Sequence, residues 1–92
     1  MSVGTALFKI KIMPEDTSID LVKMQADAVK AIETTGGKST GFEIQEIAFG
    51  LKAVIASVRL TEDKSGETLE ANLAKISGVS SVEVIDYRRA IE

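Results

Sequence analysis

Leu51 to Thr61 reads as a β-strand by strict alternation. Val54, Ala56, Val58 and Leu60 share one face, and Ser57 and Arg59 alternate with them. Just before it a second apolar run is marked by Phe42, Ile44, Ile47 and Phe49, and Gly50 follows Phe49 at the corner. Two strand-like runs joined by so short a corner make a hairpin. The apolar parity of the first run changes between Ile44 and Ile47. This implies a bulge near Gln45-Glu46 or apolar contacts on both faces. A lone hairpin is not stable in water, so the flanking sequence has to supply partners.

It does so on both sides. Thr5 to Met13 alternates, with Phe8, Ile10 and Ile12 against Lys9 and Lys11, until Pro14 ends the strand. A helix follows, with Thr17 or Ser18 as N-cap and Asp20 in its first turn. Its apolar stripe is read as Val22, Ala26, Val29 and Ile32, and Gly36-Gly37 stops it. After the hairpin, the polar stretch from Thr61 to Gly66 leads into a shorter helix with Leu69, Leu73 and Ile76 inward. Ser77-Gly78 closes that helix. Val79 to Tyr87 is the last strand, with Val82 and Val84 inward, and Arg88 onward is read as a tail.

The order βαββαβ implies a single domain over residues 1–92. It is an α+β ferredoxin-like sandwich: a four-stranded antiparallel sheet in the order 4-1-3-2, with two helices on one face. Strands one and three are expected to run one way, two and four the other. On that reading Phe49-Gly50 and Arg88-Arg89 share a sheet edge, on the order of 10–20 Å apart. Met13-Pro14-Glu15 and Glu62-Asp63-Lys64 would lie at the opposite end.

Composition narrows the chemistry. With neither cysteine nor histidine, the chain has no disulfide framework, no thiolate metal site and no imidazole base. No cofactor is expected, and no covalent enzyme chemistry. The N-terminus lacks a signal-peptide pattern and no apolar run has membrane-span length, so a cytoplasmic protein without membrane contact is expected. The net charge of −3 argues against direct nucleic-acid binding, and strand three has no aromatics on which bases would stack. The loop after strand one reads Met13-Pro14-Glu15-Asp16, without the cysteine pair of a metallochaperone. The pairs Glu15-Asp16 and Glu62-Asp63 suit capping and solubility better than a metal or acid/base site. Gly36-Gly37-Lys38-Ser39 follows a helix rather than a strand, so it is not a phosphate loop.

Two features remain. Phe49 offers no turn chemistry, so it either folds back onto the core or is displayed to a partner; Gly50 supplies the turn. Arg88-Arg89 is either a solvated basic tail or a contact group. One alternative function stays open: a small-molecule-binding regulatory domain of ACT-like topology, suggested by Gly78-Val79-Ser80-Ser81-Val82.

Three segments in register carry a resemblance. Ile10-Lys11-Ile12-Met13-Pro14, Ile47-Ala48-Phe49-Gly50-Leu51, and Gly78 to Val84 with Asp86-Tyr87-Arg88-Arg89 together resemble the archaeal translation elongation factor 1-beta family. The resemblance implies a guanine-nucleotide exchange factor for the GTPase elongation factor 1-alpha. It would meet that GTPase in nucleotide-bound and nucleotide-free forms, and be a monomer when free. It implies that Phe49, aimed by Gly50, docks in a pocket of the GTPase. It also implies that a C-terminal cation disturbs the magnesium and switch region. Arg89, with Arg88 beside it, stands where the eukaryotic relatives have lysine. Arginine is longer and planar, and does not simply replace lysine.

Overall fold

The structure is a computed structural model that describes residues 4–90. Met1 to Val3 and Ile91-Glu92, the ends of the N-terminal segment and of the tail considered above, lie outside the described residues. The elements are β1 (Thr5–Pro14), α1 (Leu21–Thr35), β2 (Lys38–Ala48), β3 (Leu51–Thr61), α2 (Gly66–Ala74) and β4 (Val79–Ala90). They form one antiparallel sheet in the order β2-β3-β1-β4, which is the expected 4-1-3-2. Both helices cover one face. The core between the layers holds Ile10, Ile12, Met24, Ala28, Ile32, Val54, Ala56, Val58, Leu60, Leu69 and Leu73.

The alternation of β3 is borne out, since Val54, Ala56, Val58 and Leu60 are all buried. Ala53 and Ile55 are buried as well, on the helix-free face. There Ile55 is paired with Lys11 on one side and Glu43 on the other. Long charged side chains can lay their aliphatic stems over such a position while the charge stays in water.

α1 begins later than the sequence suggests. Its N-cap is Asp20, whose carboxylate accepts from the amides of Val22 at 3.0 Å and Lys23 at 3.2 Å. Thr17 and Ser18 belong to the preceding loop, where Asp16 accepts from the Ser18 amide at 2.8 Å. The buried stripe is Met24, Ala28 and Ile32, while Val22 is 77% exposed and Ala26 is exposed. The helix carries two apolar stripes, and packing selects the one that faces β2 and β3. Gly36 ends α1 with φ +98°, and the amides of Gly36 and Gly37 donate to Glu33 and Ile32. This closure lets Gly36 take a left-handed conformation that other residues rarely adopt. Ser65 caps α2 by accepting from the Thr68 amide. Asn72 on α2 donates to Thr35 at the end of α1, 2.8 Å away, which ties the helices together.

β2 starts at Lys38, four residues before its first aromatic, and breaks register twice. One break lies between Ser39 and Gly41, the other between Glu46 and Ala48. The parity change in the sequence therefore marks a real irregularity, which falls at Ile47. β4 runs further than expected: Arg88 pairs with Leu7, Arg89 with Ala6 and Ala90 with Thr5. These arginines are strand residues and not a tail. Their long side chains hid the strand pattern, because charges at an edge are compatible with both readings.

The expected strand directions are overturned. β1 is antiparallel to both β3 and β4, and β3 is antiparallel to β2. Hence β1 and β2 share one direction, and β3 and β4 the other. The reason is topological. A crossover helix returns the chain in the direction it left, whereas a hairpin reverses it. Strand number in the sequence therefore does not set direction.

Candidate functional site

This topology separates the features that the sequence analysis placed together. Ala48 pairs with Leu51, so Phe49-Gly50 is the hairpin tip, and it lies at the end of the sheet where β1 finishes at Pro14. Arg88 and Arg89 lie opposite Leu7 and Ala6, where β1 begins. Leu60 of β3 is also opposite Ala6. From Leu51 to Leu60, at roughly 3.3 Å per residue, the two features are on the order of 30 Å apart. The molecule is 48 Å along its longest axis. Met13-Pro14 and Glu62, expected together at the opposite end, are likewise separated: the first accompanies the aromatic corner, the second the arginines.

At the hairpin end, Phe49 has φ +51° and Gly50 φ +81°. Two positive φ values across a two-residue loop are the signature of a type I′ turn, whose preferred sequence is Asn-Gly. Phe49 is the one residue other than glycine with positive φ among the described residues. Its side chain is also fully exposed, at 103%. The core-cap alternative is thereby excluded. A left-handed conformation costs an ordinary residue roughly 1–2 kcal/mol, and the ring gains no burial in return. Neither local conformation nor core packing accounts for an aromatic here.

The corner rests beside the β1–α1 loop. A Cβ at Gly50 would lie 4.0 Å from the Thr17 methyl group. A shallow cleft of about 220 Å³ is lined by Pro14, Asp16, Thr17, Ile19, Leu21, Gly50 and Lys52. The Ser18 hydroxyl and amide both donate to Asp16, and the hydroxyl first of all holds its carboxyl below the ordinary value of 3.8. With the folded value depressed, this contribution is complete above pH 3.8 and is lost as pH falls through the lower folded value. Asp16→Asn should therefore lower the melting temperature slightly at pH 6. The gap to wild type should narrow at pH values well below 3.8, as thermal melts at both pH values would show.

At the other end the two arginines part company, because adjacent strand residues face opposite sides. Arg88 is on the helix-free face, 3.3 Å from Asp86, with its side chain 77% exposed. Arg89 is on the helix side, where its Nε donates to Glu62 at 2.9 Å. Tyr87, on that same side, packs edge-on against Phe8 with ring centres 5.1 Å apart. Sequence reasoning missed Glu62, which it read as a capping carboxylate. Its one signal was position, immediately after the strand that pairs with β1. Gly78 has φ +89°, and its carbonyl accepts from the Glu15 amide. A turn that joins α2 to β4 accounts for the Gly-Val pattern without a ligand.

Among the described residues, no group of three or more acidic side chains is placed to hold a metal ion, and no helix is long and apolar enough to cross a membrane. The fold is a ferredoxin-like α+β domain with an exposed aromatic at one end of its sheet and an ion-paired arginine at the other. Residues 7–90 match the EF-1 guanine nucleotide exchange domain, and the chain belongs to that family. It is similar to the elongation factor 1-beta of Methanosarcina barkeri, 38% identical over 95% of this chain and 99% of that one. It is 41% identical to that of Methanocella arvoryzae over 88% and 91%, and 39% identical to that of Staphylothermus marinus over 89% and 92%. A solved structure, the C-terminal domain of the MgtC protein from Mycobacterium tuberculosis, shares the fold with a TM-score of 0.59. At 12% identity it covers 96% of this chain and 88% of its own.

Proposed function

We propose that this protein is a translation factor that promotes exchange of GDP for GTP on elongation factor 1-alpha. It would dock on the GTPase and disturb its magnesium and switch region. Membership of the exchange-domain family supports the activity. The observation that carries the docking is Phe49, displayed in a backbone conformation unfavourable to it.

In this reading the domain is a rigid bar that touches its partner at both ends. Phe49 anchors one end, and Arg89 brings a positive charge to the nucleotide site from the other. A separation on the order of 30 Å means that the two groups meet distinct regions of the GTPase. A nucleotide held at nanomolar affinity is bound by about 12 kcal/mol. The factor therefore has to bind the emptied GTPase more tightly than the loaded one, and the coupling is reciprocal. A cation near the magnesium disfavours the loaded form directly. The scheme needs no nucleophile, base or cofactor of its own. It also has no preference between GDP and GTP, so the nucleotide supply sets the direction.

The test is release of fluorescent GDP from the cognate elongation factor 1-alpha. Addition of the protein should accelerate release, and an unchanged rate would sink the proposal. The two arginines are separable by side-chain substitution, which is preferable to truncation because both belong to β4. Arg89→Ala should reduce the stimulated rate by about tenfold or more, the loss of one charged contact. Arg88→Ala should leave it within about twofold, its exposed pair with Asp86 being weak. Equal losses would remove the assignment of the cation to Arg89.

A further inference from the structure

Arg89 and Glu62 lie far apart in the chain and meet beside the start of β1. The Arg89 Nε is 2.9 Å from each Glu62 oxygen. The partners are held very differently. The Arg89 side chain is 65% exposed, whereas that of Glu62 is 25% exposed. The Glu62 amide donates to the Gly4 carbonyl at 2.9 Å. Its carboxylate lies over Gly4 so closely that a Cβ there would clash with Oε1. Glu62 also forms part of the wall of a cleft of about 210 Å³ with Phe8, Lys64, Gly66 and Tyr87. A largely covered carboxylate thus meets the Nε of a more exposed guanidinium.

We propose that Glu62 is a positioning residue for Arg89. It holds the guanidinium at the sheet end in the orientation its partner meets, and Gly4 is the residue that leaves room for it. An exposed ion pair contributes little to folding, so stability alone does not explain an arrangement this specific. A free arginine loses rotamer freedom when it docks, and one already held by Nε loses less. Grip on Nε also differs from what lysine permits, since an ammonium has no second edge to offer. The inference rests on the exchange reading and extends it to a residue that does not itself touch the GTPase.

Glu62→Gln keeps the shape and removes the charge. With the fluorescent GDP release assay, the rate at saturating factor should fall about three- to tenfold, the range expected from freeing one side chain. The half-saturating concentration should change by less than about twofold, because the Phe49 end sets docking. Gly4→Ala, which displaces the carboxylate and alters no charge, should reproduce the loss. In an Arg89→Ala background, Glu62→Gln should have no further effect. A Glu62→Gln protein that matches or exceeds wild type overturns the proposal. So does a loss of equal size in the Arg89→Ala background, which would mean that Glu62 acts by another route. Absence of stimulation by the wild-type protein is a different result: it removes the exchange reading and this inference with it.

Discussion

Phe49→Asn should make the protein more stable and less active at once. Asparagine tolerates the left-handed conformation that Phe49 holds at φ +51°, and Asn-Gly is a favoured type I′ pair. Relief of that strain should stabilise the fold by about 1 kcal/mol, a rise of roughly 4–8 °C in melting temperature for a domain of this size. The exposed ring contributes nothing to the core, so its removal subtracts no burial. Docking should weaken by about 30-fold, the equivalent of 2 kcal/mol for a central aromatic anchor. Thermal melts and titration of the GDP release rate check the two halves separately. A fall in melting temperature would show that the ring supports the fold. Stabilisation with unchanged exchange would show that the ring is displayed for something other than this GTPase.

The largest loss of stability should come from the centre of β1. Ile10 is fully buried and stands in register between Ala56 of β3 and Val84 of β4. Ile10→Ala removes three carbons from the core shared by the sheet and the helices, and leaves a cavity. The expected cost is about 2–5 kcal/mol, a large part of the 5–15 kcal/mol typical of a folded domain. The melting temperature should drop by more than about 10 °C. Val22→Ala is the matched control. The helical spacing of the sequence placed Val22 in the core, but it is 77% exposed. Its loss should change stability by less than about 0.5 kcal/mol. Comparable losses for the two variants would mean that α1 packs on its other stripe.

Much of the fold was legible because it depends on local signals. Alternation marked β3 to the residue, Leu51 to Thr61, since one buried face forces period two. Gly36 marked the exit of α1 because that exit needs positive φ. Ser77-Gly78 did not close the second helix as read: α2 ends at Ala74 with Lys75 as a right-handed C-cap, and Gly78 serves the turn into β4. Element order then led to the ferredoxin-like sandwich. The helix phase was less legible. α1 presents two apolar stripes that share Ile32, and only the position of the sheet distinguishes Met24 and Ala28 from Val22, Ala26 and Val29. The end of β4 was hidden for a similar reason. Arg88 and Arg89 pair through their backbones, and backbone pairing leaves little mark on side-chain type at an edge.

The candidate site divides in the same way. Phe49-Gly50 was conspicuous in the sequence, since an aromatic at a tight corner violates local turn chemistry. Arg88-Arg89 was visible as a charged pair, but its relation to the corner was not. By itself the sequence determined the elements, their order, and a corner residue that turn chemistry would not choose. The tertiary structure decided that Phe49 and Arg89 stand at opposite ends of the sheet, that Arg88 and Arg89 face opposite sides, and that Glu62 meets Arg89. Each of these depends on strand direction and pairing across long stretches of chain. Those follow from how crossovers and hairpins orient strands in space, which no local pattern of residues records.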